Sequence, residues 1–146
     1  MGFFSSSKPA SQTIIVGCGR LGANLANTLS NSDGNVIIID KDERSFRKLS
    51  PSYGGLTFVG DATDISVLKA AGIERTDAVV SVTNFDNTNI MVAQIARDQY
   101  KIKNVVCRLY DPERECIYQE FGISTICPAV LSEKEISKLL NENKDI

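Results

Sequence analysis

The stretch Thr13-Ile14-Ile15-Val16-Gly17-Cys18-Gly19-Arg20-Leu21-Gly22 places three glycines at GxGxxG spacing between an apolar run and a helix-like run that leaves through Ala23 and continues to Leu29. Working outward, a second apolar run, Val36-Ile37-Ile38-Ile39, ends on Asp40, 18 residues after the third glycine. A ribose-binding carboxylate is expected about 20 residues beyond such a turn. The glycine pattern alone is weak. Strand, turn, helix, strand and acid in that order predict a domain that binds an adenine nucleotide.

Apolar strand runs then alternate with helix-like segments along the chain. Strands are predicted at 12–16, 35–39, 56–59, 77–82, 104–109 and 123–126, and helices at 20–30, 42–50, 64–71, 86–99, 112–120 and 130–141. Several strand runs are short, rich in Val and Ile and without alternation, as parallel strands buried on both faces should be. Asp61-Ala62-Thr63-Asp64 offers capping oxygens ahead of the third helix, and Gly72 stands where a C′ glycine is expected. Pro112 suits a first helical position. Ser132 and Glu135 have capping-box spacing, which would start the last helix nearer 133.

Six such units predict a single-domain α/β fold, a Rossmann-like doubly wound parallel six-stranded sheet of strand order 3-2-1-4-5-6. Its ligand belongs over the C-terminal ends of strands 1 and 4, where the order reverses. The domain is expected over 12–141, with residues 1–11 as a flexible tail and 142–146 as a flexible C-terminus.

Composition sets bounds on function. The 146 residues carry a net charge of −2, 42% hydrophobic and 23% charged residues, an ordinary balance for a soluble globule. That charge gives no reason to expect nucleic acid or an anionic membrane as partner. No apolar run approaches the roughly 18 residues needed to span a bilayer, so no direct membrane insertion is expected. The cysteines Cys18, Cys107, Cys116 and Cys127 form no CxxC pair, and there is no histidine. No metal site is expected, and the thiols read as reduced and cytosolic. Without histidine, a GxSxG elbow or a Walker lysine, catalysis has little support and the chain reads as a non-enzyme.

The candidate site residues follow from position. Gly17 allows the tight turn, Gly19 lets the backbone approach phosphates, and Gly22 lets the helix pack close to the strand. The amides from Gly19 to Gly22 open a helix N-terminus, a natural anion site. Cys18 is a small filler whose oxidation should obstruct the turn. Arg20 projects a guanidinium that can meet a terminal phosphate or a neighbouring subunit's ligand, or can lie over its own helix. This tilts the reading toward ATP or ADP over NAD(H). Asp40 can accept both ribose hydroxyls and would repel a 2′-phosphate, which disfavours NADP; alternatively it caps the next helix, a role open to Asp42. Lys41 and Arg44 sit near the adenosine edge or are solvated charges. Asp61 and Ala62 follow strand 3 beside the adenine slot. Thr83 and Asn84 end strand 4 across the crevice, Asp86, Asn87 and Asn89 read as caps of the next helix, and Arg108 ends strand 5 as phosphate ligand or surface ion pair.

The Gly17–Gly22 turn, Asp40, Gly60-Asp61-Ala62-Thr63-Asp64, Leu68-Lys69-Ala70-Ala71-Gly72-Ile73, Asp77-Ala78-Val79-Val80, the Asn89 helix start, Phe121-Gly122-Ile123 and Pro128 together resemble RCK N-terminal (KTN, or TrkA-N) domains. The resemblance covers about residues 12 to 140. It implies a cytosolic regulatory subunit that binds ATP, ADP or NAD(H) and gates a potassium channel or transporter. The membrane-embedded subunit would be another chain, holding this one at the inner face of the plasma membrane. It further implies a homodimer or an octameric ring whose shape follows the nucleotide. Gly17, Gly19, Arg20, Leu21 and Gly22 would lie at phosphate, Asp40 at ribose and Asp61 with Ala62 at adenine, with Thr83, Asn84 and Arg108 completing the pocket. Relatives usually carry a second C-terminal lobe, and some have an acid where this chain has Ala129. The competing reading is an NAD(H)-binding domain of an oxidoreductase or redox sensor whose catalytic or effector part is on another chain.

Overall fold

The computed structural model describes residues 11–32, 34–114 and 118–144. Its core is a parallel six-stranded sheet: β1 (Gln12–Val16), β2 (Asn35–Asp40), β3 (Leu56–Val59), β4 (Ala78–Ser81), β5 (Asn104–Arg108) and β6 (Ser124–Ile126), ordered β3-β2-β1-β4-β5-β6 as predicted. The central strand pairs Ile14 with Ile37 on one side and with Val79 on the other. Alternate side chains leave this sheet in opposite directions. Ile14, Val16, Ile37, Ile39 and Val79 therefore enter one core, and Ile15, Val36 and Ile38 enter another. Ile14 and Ile15 are both fully buried. Each such side chain is worth roughly 1.5–3 kcal/mol of burial, which explains a strand with no polar face.

Helices cover both cores. α1 (Arg20–Ser30) places Ala23 and Ala26 on the Ile15–Ile38 face, where small residues allow close approach. α2 (Ile65–Ala70) and α3 (Asp86–Gln94) cover the other face with Leu68, Ile90, Val92 and Ala93. Asp64 caps α2 by accepting from the Ser66 amide at 2.9 Å, and Gly72 ends that segment at φ +93°, the conformation that favours glycine.

Three helical expectations are corrected and a fourth, over 112–120, is described only in part. The segment 42–50 is a short 3-10 helix, Glu43–Lys48, capped by Asp42; Ser50 precedes Pro51, and that position disfavours a continuing α-helix. The helix expected over 86–99 changes at Ile95 to a wide π turn through Gln99, ended by Tyr100 and by Lys101 at φ +54°. Of 112–120, Pro112–Arg114 is 3-10, and residues 115–117 lie outside the described residues. The last helix, α4 (Pro128–Asn143), begins before both 130 and 133. Pro128 takes its first position, where no amide proton is needed, so Ser132 and Glu135 are internal and do not cap. α4 also passes the expected boundary at 141; residues 1–10 and 145–146 lie outside the described residues.

A buried thiol and a half-buried phenol give the fold an alkaline limit. Burial, and secondarily the charge of Asp86, pushes the Cys107 thiol from 9.0 to about 12. Burial, and then the charge of Cys18, pushes the Tyr53 phenol from 10.0 to about 12. Both folded-state values lie above the unfolded ones, so the unfolded chain loses these protons first. Stability is complete below the unfolded values and falls as pH rises toward the folded ones. Melting temperature should decline from about pH 9 to about pH 12, and Cys107→Val should show a shallower decline than the native chain.

Candidate functional site

The first and third glycines of the turn are demanded by the fold. Gly17 adopts φ +103°, and a β-carbon there would meet the Thr83 amide nitrogen at 2.9 Å. A β-carbon on Gly22 would run into the Gly17 carbonyl oxygen. Gly19 differs: its φ of −84° is open to any residue, and nothing lies within 4 Å of the β-carbon it lacks. The second glycine therefore keeps space clear in front of the α1 N-terminus. The first amides of that helix have no acceptor of their own within it.

Asp40 joins this turn to the end of β2. Its Oδ2 accepts from the Cys18 amide at 2.8 Å, and its Oδ1 from the Asp42 amide at 2.9 Å. Each oxygen keeps lone-pair capacity for a further donor. Capping of the 3-10 helix falls to Asp42, which accepts from the Arg44 amide at 3.0 Å and from both Nε and Nη2 of that guanidinium at 3.1 Å. The side-chain bonds from Arg44 hold the Asp42 carboxyl below the usual carboxylate range.

Across the C-terminal ends of the strands these groups surround a cavity of about 440 Å³. The structure brings Gly17, Cys18, Gly19, Asp40, Lys41, Asp61, Ala62, Thr83 and Asn84 to its lining. Lys41 pairs with Asp61 at 3.4 Å. Thr63 donates its hydroxyl to Asp61 Oδ1 at 2.7 Å and its amide at 2.9 Å, and these bonds lead in holding the Asp61 carboxyl down. Cys18 is buried with its Sγ 3.3 Å from the Ser45 carbonyl; burial, reinforced by the charge of Asp40, pushes its thiol up.

Other expected residues lie elsewhere. Arg20 and Leu21 are exposed on α1, Gly22 is buried behind the turn, and Arg44 is held by Asp42; none of them lines the cavity. Arg108 does not line it either. Its Nη2 donates to the carbonyls of Val82 at 2.7 Å and Thr83 at 3.0 Å, and its guanidinium carbon lies 5.1 Å from the Tyr110 ring centroid.

Asn89 does not cap α3. Fully buried, it accepts from Ser81 Oγ at 3.1 Å, the Thr83 amide at 2.8 Å and Thr83 Oγ1 at 2.6 Å. Its Nδ2 donates to the carbonyls of Thr83 at 3.0 Å and Arg108 at 2.9 Å. Asp86 joins α3 to the segment after β5, accepting from the amides of Tyr110 at 2.8 Å and Asp111 at 3.1 Å, and Asn87 accepts from Arg114 at 2.9 Å.

Sequence reasoning missed Ser45, Lys48, Phe85 and Thr88, which also line the cavity. Ser45 and Lys48 arrive there on the 3-10 helix, whose three-residue period an α-helical reading misphases. Phe85 is 70% exposed at the cavity's edge. An apolar residue immediately ahead of a predicted helix at the strand-4 crevice is the signal that could have found it.

The TrkA-N domain model matches residues 13–128. The Trk system potassium uptake protein TrkA of Streptomyces coelicolor (strain ATCC BAA-471 / A3(2) / M145) is 42% identical over 113 residues, covering 77% of this chain and 51% of that protein. The chain thus spans about half that relative's length. Among solved structures, the GsuK channel bound to NAD superposes with a TM-score of 0.77 at 26% identity, covering 92% of this chain and 24% of that one. GsuK bound to ADP superposes with a TM-score of 0.75 at 27% identity, covering 91% and 34%.

The glycine geometry separates folding from the cavity. Gly19→Ala should leave urea-denaturation stability within about 1 kcal/mol of the native chain, since it adds a methyl group to open space. Gly22→Ala, which forces the helix off the turn, should cost about 3 kcal/mol or more, or yield no folded protein.

Proposed function

The chain belongs to the TrkA-N domain family, and on that premise we propose that it is a nucleotide-sensing regulatory module of potassium transport, a switch and not a catalyst. The observation that carries this reading is Gly19: a glycine that the backbone does not require, at the mouth of a helix N-terminus, facing a cavity edged by Asp40. Adenine nucleotides supply what such a site lacks. Phosphate oxygens accept from the free amides, and ribose hydroxyls donate to Asp40. The GsuK structures with NAD and ADP support this ligand class.

ATP or ADP is the favoured ligand in this proposal, with NAD(H) as the alternative. Arg20 stands exposed just outside the cavity, where a guanidinium can reach a terminal phosphate or a ligand on a neighbouring subunit. A γ-phosphate adds charge-assisted bonds that ADP lacks. A few kcal/mol of differential binding is enough to shift a two-state assembly.

The assembly itself is proposed as a homodimer or larger ring. α4 has no buried residue and carries Leu131, Ile136, Leu139 and Leu140, each about half exposed or more. A second copy covering that stripe would remove apolar surface from water. Among the described residues no helix is long and apolar enough to cross a membrane. In this reading the chain acts at the cytoplasmic face through a membrane-embedded partner on another chain.

Calorimetric titration with ATP, ADP, NADH and NAD, with oligomer mass recorded for each state, tests the reading. Binding of ATP or ADP with a change in mass and no turnover is expected, and Arg20→Ala should bring the ATP and ADP affinities together. Binding of NAD(H) alone would instead favour a redox sensor or a dehydrogenase domain whose active part lies on another chain. No binding to any of the four would overturn the nucleotide reading.

A further inference from the structure

Charge balance within the cavity singles out a residue that neither the motif nor the family match assigns. Asp40, Asp42 and Asp61 all line it. A nucleotide that brings further negative charge requires compensation, since like charges at close range inside a partly enclosed site repel strongly. The cations expected to help already have partners or lie outside the lining. Lys41 is paired with Asp61, and Arg44 is doubly bonded to Asp42. Arg108 is turned onto the Val82 and Thr83 carbonyls, and Arg20 lies outside the lining.

Lys48 is placed differently. It ends the 3-10 helix Glu43–Lys48 and lines the cavity. Its Nζ makes one long hydrogen bond, 3.4 Å, to the carbonyl oxygen of Cys18, and the described salt bridges give it no carboxylate partner. That carbonyl belongs to the peptide whose nitrogen is Gly19, next to the free amides of α1. Its charge is felt on both sides of the site, favouring the ionised forms of Cys18 and of Asp42.

We propose that Lys48 is a specificity-determining residue of this site, the cation supplied by the chain itself that selects phosphorylated adenine ligands over the bare nucleoside. This rests on the nucleotide reading above and adds to it a charge reader. An ammonium on a flexible stem can leave a 3.4 Å contact with a neutral carbonyl for a phosphate oxygen, exchanging a weak bond for a charge-assisted one. The position is set by the 3-10 helix, whose Asp42 cap and Arg44 clamp fix where Lys48 begins.

The test compares the native chain with Lys48→Gln and Lys48→Arg, titrated with adenosine, AMP and ADP at two salt concentrations. Lys48→Gln should weaken AMP and ADP by about ten-fold, more for ADP, and change adenosine by less than about two-fold. It should also flatten the salt dependence of ADP affinity, while Lys48→Arg restores most of the loss. Thermal stability should be unchanged, because the lysine is exposed and its one bond is long. Equal losses for adenosine and ADP, or native ADP affinity in Lys48→Gln, would overturn the assignment of Lys48 while leaving the nucleotide site standing. Failure of the native chain to bind any of the three, or ATP, would overturn the ATP/ADP reading and this assignment together.

Discussion

The structure turns on a contact that has no side chains in it. Gly22 lies against the carbonyl oxygen of Gly17 so closely that a β-carbon cannot be added, and Gly17 in turn lies against the backbone at Val82 and Thr83. This fixes the start of α1 over the end of β1 and beside the end of β4. The cavity opens there because strand order reverses at that point, with β2 leaving to one side and β4 to the other. Asp40 completes the arrangement by reaching from β2 to the Cys18 amide.

The same carboxylate carries two duties. It satisfies backbone amides of the turn and of the segment after β2, and it presents negative charge to the cavity. A neutral Asn at this position keeps an oxygen for one of those amides but loses the charge and the second acceptor. Structural and cavity-facing roles are separated at Gly17, Gly19 and Gly22, whereas at Asp40 they coincide.

Much of the fold was legible in the sequence because its signals are redundant. Ile14, Ile15, Ile38 and Ile39 mark strands buried on both faces, and each was followed by a turn or acid of known spacing. The lining of the cavity was legible where backbone position decides the outcome, as at Gly19, Asp61 and Thr83. It was not legible where a side chain chooses its direction. Arg108 sits at a strand end facing the rim, but β4 pairing stops at Ser81, and the guanidinium donates to the Val82 carbonyl and to the Thr83 carbonyl that it shares with Asn89. Asn89 read as a cap because caps and buried amides share residue type; only the neighbouring Ser81 and Thr83 reveal the second role. Lys48 was hidden by the choice of helix period.

The Asn89 network also makes the two halves of the sheet mechanically unequal. One buried amide side chain holds the end of β4, Thr83 at the cavity and the carbonyl of Arg108 on β5. The opposite wall is held at its far end, where the Tyr53 hydroxyl reaches the carbonyls of Val36 on β2 and Leu56 on β3; beside the cavity the 3-10 helix Glu43–Lys48 buries no residue, and β3 is an edge strand with most of its side chains exposed. Thermal motion will concentrate on that softer wall. A molecule lodged between the two would meet an anvil on the β4–β5 side and a compliant jaw on the β2–β3 side, so closure would travel in one direction only.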